Sequence, residues 1–446
     1  MDAAPARTDA TADAGGRPTA LLPIPQLVRI SAYWLGLTAI DAAVGLFIAN
    51  RLEFDGLVAH DDVGTSMFQI GIGAAILGIL IQPTVGYLSD YTVSRWGRRK
   101  PFIVFGSLLD LVFLAGIAAG SSVLMLAAFM LLLSVSTNIA RGPFQGYVPD
   151  LIAEPQVGMA SAMVGLMQVV GNVTGFLLVT LSVGLHIMPL SLIAVAVVEL
   201  VTMLSVVLKV GKGLPPKPRE GRSWARIAAG AWSTDVLKER SFVWLLVSRL
   251  LFMTAGALLV KFVVIYLSRA FAMTKEEANS TYVMLLVVVV VANLVVIIPS
   301  SRLSDRIGRK PIIWAACAVG AVGVTIVALA PSIPVALVGA FLFGASQGTF
   351  LAVDWALMTD IIPRISGGRY MGLSNVATGA ATPIAIALGG TMLDLVTRAG
   401  GSEISPRVVF MLAVLAFGVA AVTLRPVVEP HRDRATGGLA ATPAGA

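Results

Sequence analysis

Long stretches without a charged residue interrupt this chain. Between Asp62 and Asp90 lie 27 uncharged residues, and between Lys310 and Asp354 lie 43. A helix needs about 20 consecutive apolar residues to cross the hydrocarbon core of a bilayer. The shorter run therefore accommodates one membrane span, and the longer run accommodates two spans joined by a short turn. This pattern predicts an integral membrane protein.

The composition excludes the main soluble classes. Of the 446 residues, 57% are hydrophobic and 13% are charged, whereas a soluble domain carries about 25% charged residues. The single cysteine, Cys317, excludes an intrachain disulfide and a thiolate cluster. Three scattered histidines offer no metal site, and no Gly-rich nucleotide-binding loop is found. We therefore expect no enzymatic activity, no cofactor, no metal and no nucleic-acid partner.

The apolar runs predict an all-α membrane protein with twelve transmembrane helices. The predicted spans are residues 30–50, 64–88, 102–120, 123–147, 158–182, 187–208, 242–267, 279–301, 311–330, 335–359, 369–394 and 407–425. A polar stretch divides them six and six. The expected organisation is a disordered tail (1–25), a six-helix bundle (26–210), a linker (211–240), a second six-helix bundle (241–427) and a second disordered tail (428–446).

The basic residues predict the orientation. If both termini are cytoplasmic, 24 of the 32 Lys and Arg residues fall in cytoplasmic segments and five fall on the other side. Such an asymmetry is the positive-inside rule. We expect a multi-pass protein of the cell membrane with both termini in the cytoplasm. Its basic segments are expected to attract anionic membrane lipid.

The two halves of the chain repeat a loop pattern. Asp90, in Gly-Tyr-Leu-Ser-Asp, recurs 215 residues later as Asp305, in Ser-Arg-Leu-Ser-Asp. Asp150, followed by Leu-Ile, recurs 210 residues later as Asp360, followed by Ile-Ile. Two six-helix repeats with a binding site between them, near the middle of the membrane, are typical of secondary transporters.

These loops also carry a family resemblance. The Gly-x-Leu-x-Asp…Gly-Arg-Lys pattern between spans 2 and 3, repeated between spans 8 and 9, resembles the signature of the major facilitator superfamily. The form over residues 82–103, with Ser-Arg-Trp-Gly-Arg-Arg-Lys-Pro-Phe-Ile, is similar to the sucrose and glycoside cation symporter branch. The resemblance implies a twelve-helix carrier in which spans 1, 4, 5, 10 and 11 line a cavity and two bundles rock against each other.

The repeated loops are expected to form a gating latch, in which basic side chains and a helix N-terminus hold each aspartate. The alternative is that these residues only set topology and turns. The candidate gating residues are Asp90, Arg95, Gly97, Arg98, Arg99, Asp150, Asp305, Arg306, Gly308, Arg309 and Asp360.

Polar residues inside the spans are costly unless they are paired or hydrated, so they are candidates for the substrate site. In span 4, Ser134, Asn138, Arg141 and Gln145 share one helix face. Helix packing is the alternative explanation, because it also uses small and amide residues. The candidate substrate or coupling residues are Asp41, Asn138, Arg141, Gln145, Gln168, Asn172, Lys261, Gln347, Asp354, Trp355 and Asn375.

The charges inside the spans leave alternatives open. Asp41 and Asp354 are expected either to contact substrate or a coupling ion, or to form structural ion pairs. Lys261 either pairs with one of them or extends towards the membrane surface. Arg249, Asp110 and Glu199 are expected to be structural.

The chain departs from the sucrose symporter pattern in span 4. The resemblance places a proton-binding aspartate where this chain has Ser134, and an arginine where it has Gln145. Arginine instead occupies position 141, where that branch has glutamine. Sucrose itself is therefore not assigned as the solute.

We expect a monomeric symporter for a sugar or similar polar solute, driven by a proton or sodium gradient. The alternatives are a proton-coupled exporter of drugs or metabolites, and a lipid flippase, receptor or membrane enzyme. Against the exporter, Gly171 in span 5 is followed by Asn172, not by the proline of the drug-antiporter pattern.

Overall fold

The computed structural model describes residues 20–153, 156–232, 239–361 and 367–428. Twelve helices in these ranges are long and apolar enough to cross a membrane, so the predicted number of spans is confirmed. The α-helices are α1 (Ile24–Ser31), α2 (Tyr33–Glu53), α3 (Val63–Ser89), α4 (Lys100–Ala118), α5 (Val123–Leu151), α6 (Val157–Gly184), α7 (Met188–Lys209), α8 (Trp224–Gly230), α9 (Arg240–Phe271), α10 (Lys275–Ile307), α11 (Arg309–Leu329), α12 (Ile333–Ile361), α13 (Gly367–Arg398) and α14 (Ser405–Thr423).

Local sequence explains several of the helix ends. Pro101, Pro189 and Pro406 occupy the first turns of α4, α7 and α14, where a missing backbone N–H costs nothing. Thr274 and Glu277 form a reciprocal capping box at the start of α10. Helices α1 and α2 together make the first span, and α8 lies in the linker.

The same packing scheme recurs in the two halves. In the first half, α3 packs on α5, α4 on α5, and α2 on α7. In the second half, the corresponding pairs are α10 on α12, α11 on α12, and α9 on α14. The internal repeat seen in the loop sequences is therefore a structural repeat of two six-helix bundles.

The hydrogen bonds and ion pairs that join the described parts of the two halves gather at one end of the molecule. We call this end the opposite face, because it lies across the membrane from the described chain ends, which define the terminal face. Glu53 of α2 and Arg269 of α9 form a fully buried ion pair there, with 3.0 Å between Oε2 and Nη2. Asn50 and Asn279 exchange side-chain amide hydrogen bonds of 2.6 and 3.1 Å.

A glycine contact completes the closure of the opposite face. Gly64 in α3 and Gly390 in α13 meet backbone to backbone, and neither position has room for a side chain. The carboxylate of Asp394 accepts a 2.8 Å hydrogen bond from the N–H of Gly64 and further bonds from Thr65. An acid of the second half thus caps the free N–H groups at the start of a first-half helix. The halves are sealed together at this face.

The linker between the halves folds onto the first half. The N–H of Lys217 donates to the Asp90 carbonyl at 2.8 Å, and Trp232 Nε1 donates to Thr84 Oγ1 at 3.0 Å. Ile227 of α8 is buried where this helix packs on α3. The described part of the linker is therefore a structured strap across the end of α3.

Candidate transport site

A cavity of about 440 Å³ lies between the halves, on the terminal side of the closed face. Helices α2, α3 and α5 of the first half supply most of its wall, and α9 and α13 of the second half complete it. Its volume lies in the range of small-molecule sites. Apolar side chains dominate the wall and a few polar groups converge on the space, which is the usual composition of a small-solute site.

An ion pair occupies the cavity wall. Arg141 Nη2 of α5 lies 2.7 Å from Asp41 Oδ2 of α2, and the same nitrogen lies 3.4 Å from the Leu37 carbonyl. The Asp41 side chain is 50% exposed and the Arg141 side chain is 19% exposed. Both charges can therefore contact a solute or water in the cavity while remaining paired with each other.

Lys261 of α9 brings a charge of the second half to the cavity wall. Its Nζ lies 2.5 Å from the point where a Cβ on Gly45 would stand, so the glycine leaves room for the ammonium group. Gly45 follows Asp41 by one helical turn. The two halves of the molecule thus bring three charges to one cavity.

Hydroxyl and amide groups surround the charges. Asn138 and Gln145 line the cavity from α5, as predicted from the shared helix face, and Thr378 and Thr382 line it from α13. Asn138 Nδ2 donates to the Ser134 carbonyl at 2.8 Å, which leaves its amide oxygen available. Such groups suit a solute rich in hydroxyls, because each can donate to or accept from a hydroxyl.

The structure corrects the predicted set of lining helices. The cavity is lined by spans 1, 2, 4, 7 and 11, and the described residues of spans 5 and 10 do not contribute to its wall. Asn172 of span 5 donates to the backbone of its own helix, to the Gln168 carbonyl at 3.0 Å. Gln347 of span 10 packs against Gly256 of α9. Gln347 therefore lies in a helix contact, the alternative that the sequence left open, and the Asn172 amide is bonded within its own helix.

Asp354 also lies outside this cavity. Its Oδ2 is 3.0 Å from Arg249 Nη1, and the two side chains are 5% and 8% exposed. This is the structural ion pair that was one of the two expectations for Asp354. The side chains of Trp355 and Asn375, also predicted for the site, lie outside the described residues.

Sequence reasoning missed the contribution of α3. Gly71, Gly78 and Gln82 line the cavity, and a Cβ at Gly78 would lie 2.9 Å from Asn138 Nδ2. Gly78 lets α3 approach α5 closely. Residues of α3 therefore lie beside the polar face of α5 in the cavity wall. Glycines at positions 71, 73 and 78 were the available signal, but small residues are common at any helix contact.

The buried acids on spans 3 and 6 are held by hydroxyl groups. Thr137 donates to Asp110 at 2.9 Å, and Tyr33 donates to Glu199 at 3.1 Å. Both carboxyl groups are almost fully buried, and neither lines the cavity. Their position behind α5 agrees with the structural role expected for them.

The predicted latch is assembled at the terminal face of the first half. Arg99 Nη2 lies 2.9 Å from Asp90 and its Nε lies 2.8 Å from Asp150. Arg98 Nη2 lies 2.6 Å from Asp150 and its Nη1 lies 3.7 Å from Asp90. Two arginines thus bridge the aspartate that ends α3 and the aspartate near the end of α5.

Other latch residues have separate roles. Gly97 has a φ of 99°, a conformation that favours glycine, and its Cα faces the Lys212 carbonyl of the linker. Lys217 Nζ adds a 3.1 Å ion pair to Asp90 that was not predicted. Arg95 lies over the Trp96 ring, 5.8 Å from its centroid, instead of joining the ion-pair cluster.

The second copy of the latch is described in part. Gly308 has a φ of 96°, close to that of Gly97, and Arg309 begins α11 as Lys100 begins α4. Arg306 is exposed at the end of α10. The side chains of Asp305 and Asp360 lie outside the described residues.

Across the described ranges, twelve helices able to span a membrane form two packed repeats, with one face closed and a cavity between them whose wall carries three charged side chains; these features define a solute carrier. The residue pattern of the Major Facilitator Superfamily matches residues 30–291 and 245–444. The chain belongs to this superfamily, and it is a transporter, not an enzyme.

Relatives with sequence similarity are sugar permeases, over short segments. A general alpha-glucoside permease of Schizosaccharomyces pombe is 38% identical over 125 residues, which cover 24% of this chain and 23% of the permease. The sucrose transport protein SUC3 of Arabidopsis thaliana is 30% identical over 124 residues, which cover 23% of this chain and 21% of that protein. The match thus spans less than a quarter of either relative.

Solved structures share the fold over almost the whole chain. The nucleoside transporter NupG has a TM-score of 0.70 at 13% identity and covers 91% of this chain and 100% of its own. A D-xylose-proton symporter has a TM-score of 0.66 at 16% identity and covers 91% of this chain and 98% of its own. At these identities the likeness concerns the fold alone.

Proposed function

We propose that this protein moves a small polar solute, of the sugar or glycoside class, across the cell membrane together with a proton. The observation that carries the proposal is the ion pair between Asp41 and Arg141, which lies in the wall of the cavity between the two halves. An ionisable residue inside the membrane is costly and is usually retained for function. The sugar permeases among the relatives support the solute class.

Asp41 is the proposed proton site. Its carboxylate is half exposed to the cavity, so a proton can reach it, and its partner Arg141 is permanently charged. Protonation removes the attraction between the two side chains and frees the guanidinium for the solute. Proton binding and solute binding then favour the same state of the site, which is the condition for coupled transport.

The proposed cycle alternates between two access states. The positive-inside rule assigns the terminal face to the cytoplasm, so the present state would be open to the cytoplasm and closed outside. Opening the other side requires breaking the buried pair of Glu53 and Arg269 and the capping contacts of Asp394. The latch around Asp90 would brace one state and yield in the other.

The driving force is adequate for uptake. One proton moving down a total force on the order of 100 mV releases about 2.3 kcal/mol, which corresponds to roughly fifty-fold accumulation of a neutral solute. A solute that carries its own charge would change this figure. We further propose that the protein acts as a monomer and that its basic terminal face contacts anionic lipid.

The experiment is a pH measurement outside lightly buffered proteoliposomes that hold the full chain. Addition of a transported sugar is expected to raise the external pH in the wild type and not in Asp41→Asn. Asp61→Asn, which changes an exposed acid of the loop after α2, is the matched control and should behave as the wild type. Acidification driven by lipophilic cations, with no response to any sugar, would contradict the proposal and favour an exporter.

A further inference from the structure

We infer that the solute is a small organic monoanion, such as a sugar acid, whose negative charge is held between Arg141 and Lys261. The inference rests on the proposed function and narrows its solute class. It comes from the charges of the cavity wall, which do not balance for a neutral solute.

Three charged side chains line the cavity among the described residues: Asp41, Arg141 and Lys261. Asp41 and Arg141 neutralise each other across 2.7 Å. Within the described ranges, Lys261 Nζ has no carboxylate within 4.0 Å and no hydrogen bond. The wall therefore carries one positive charge in excess.

The other acids near this depth are engaged elsewhere. Asp354 is paired with Arg249, and Glu53 is paired with Arg269. Asp394 caps the start of α3 at the closed face. Asp110 and Glu199 lie behind α5, where they are held by hydroxyl groups and do not reach the cavity wall. None of these acids stands next to Lys261.

The position of Lys261 directs its charge at the solute space. The ammonium group occupies the room left by Gly45, one turn along α2 from Asp41. There it faces the ion pair from the opposite half of the molecule. An ammonium group in a low-dielectric wall is stabilised by an anion that reaches it. A carboxylate placed between Nζ and the Arg141 guanidinium would receive charge-assisted hydrogen bonds from both.

Protonation of Asp41 increases the net positive charge of the cavity wall. The single negative charge of the wall disappears, and Arg141 and Lys261 then face the solute without a competing carboxylate. Anion binding and proton binding therefore strengthen each other at this site. One proton moving with one monoanion transfers no net charge, whereas one proton moving with a neutral sugar transfers one positive charge.

The test uses hexoses and the uronic acids that share their ring. Glucose, galactose and mannose are compared with glucuronate, galacturonate and mannuronate as inhibitors and as substrates in proteoliposomes of the full chain. For at least one pair we expect the acid to bind about tenfold or more tightly than its neutral partner, as expected for charge-assisted hydrogen bonds. Its uptake should not change when a potassium gradient and valinomycin impose a membrane potential.

Lys261→Met keeps the length of the apolar stem and removes the charge. In this variant we expect the preference for the acid over its neutral partner to fall to about twofold or less. Lys209→Met, at the exposed end of α7, is the matched control and should keep the full preference.

The outcomes separate the inference from the proposed function. If neutral sugars are taken up with external alkalinisation and no acid is preferred, the inference is wrong and the proposed function stands. If an acid is preferred equally in Lys261→Met, the anion is not held at Lys261 and the inference is also wrong. If neither sugars nor sugar acids bind or move, both proposals fail.

Discussion

In each half of the molecule an ion pair joins the first and the fourth span. The two pairs differ in which span carries the acid and in how exposed the side chains are. In the first half, the acid Asp41 is on the first span and the base Arg141 is on the fourth. In the second half, the base Arg249 is on the first span and the acid Asp354 is on the fourth. The members lie 208 and 213 residues apart along the chain, close to the offsets of the repeated loops.

Exposure separates the chemistry of the two pairs. The Asp41 side chain is 50% exposed in the cavity, whereas neither Arg249 nor Asp354 exceeds 8%. A sealed pair exchanges neither protons nor partners easily, and it stabilises the fold only while both members are present. An exposed pair in a cavity can exchange its partner for a solute. Equivalent positions in a repeat therefore serve packing in one half and, as we propose, transport in the other.

The largest effect is expected when the sealed pair is broken. Arg249→Met leaves the Asp354 carboxylate buried without its charge partner, which typically costs about 3–5 kcal/mol. We expect a strong loss of folded protein, measured by thermal unfolding of the detergent-solubilised chain. Asp41→Asn should change the same melting temperature little. If Arg249→Met and Asp41→Asn lowered the melting temperature equally, the claim that only the sealed pair stabilises the fold would be wrong.

The exposed pair is expected to give the largest loss of transport. Arg141→Ala should abolish uptake while abundance and membrane insertion stay near those of the wild type, because a guanidinium that contacts solute contributes about 2–5 kcal/mol to such a site. Uptake in proteoliposomes and the amount of purified protein are the two measurements. Wild-type uptake in this variant would show that the cavity is not the transport site.

A double variant sharpens the comparison. Arg249→Met together with Asp354→Leu replaces the sealed pair by apolar side chains, and such replacements are often neutral or stabilising. The double variant should therefore recover most of the thermal stability lost in Arg249→Met. Asp41→Asn together with Arg141→Ala should show no recovery of uptake. A double variant as unstable as Arg249→Met would mean that the pairing does not explain the loss.

The smallest effect is expected at the latch. Asp90 is only partly buried and is held by Arg98, Arg99 and Lys217 together. Asp90→Asn should slow the transport cycle several-fold, with less effect on solute affinity, because exposed or shared ion pairs contribute about 1 kcal/mol or less each. The maximal rate and the half-saturation concentration of uptake separate the two effects. A matching loss of affinity and rate would indicate misfolding or a direct site role.

The fold could be predicted from the sequence in most respects. The length of an uncharged run such as residues 63–89 can be read directly from the sequence. Comparison with the thickness of the bilayer then predicts a helical span. The repeated aspartates 90 and 305 revealed the two halves, and the glycines at 97 and 308 share the same backbone conformation. The ion pairs of Asp90 were also expected, because Arg95, Arg98 and Arg99 follow it closely in the sequence.

The site could be predicted one helix at a time, and the candidates Asp41 and Lys261 on other spans also line the cavity. The face that carries Asn138, Arg141 and Gln145 follows from helical periodicity, and these residues line the cavity. Which helices meet across the cavity depends on contacts between distant segments, such as Gly45 with Lys261, and periodicity carries no information about them. The set of spans that the resemblance implied accordingly lacked spans 2 and 7 and included spans 5 and 10, whose described residues do not line the cavity.

The closure of the opposite face was not predicted either. Glu53 and Arg269 each lie near a span end, where a charge is expected to meet water or lipid headgroups. They are instead buried against each other, because the two bundles meet there in this access state. The sequence is the same in every access state, whereas this ion pair forms only in the state in which the opposite face is closed.

The central claim is that Asp41 couples proton movement to the solute held by Arg141. The most direct measurement compares two modes of transport in Asp41→Asn proteoliposomes: exchange of labelled for unlabelled solute, and accumulation driven by a pH gradient. We predict that exchange continues and that gradient-driven accumulation is lost, because the variant binds solute but carries no proton. Accumulation at the wild-type level would contradict the claim and place the proton site elsewhere.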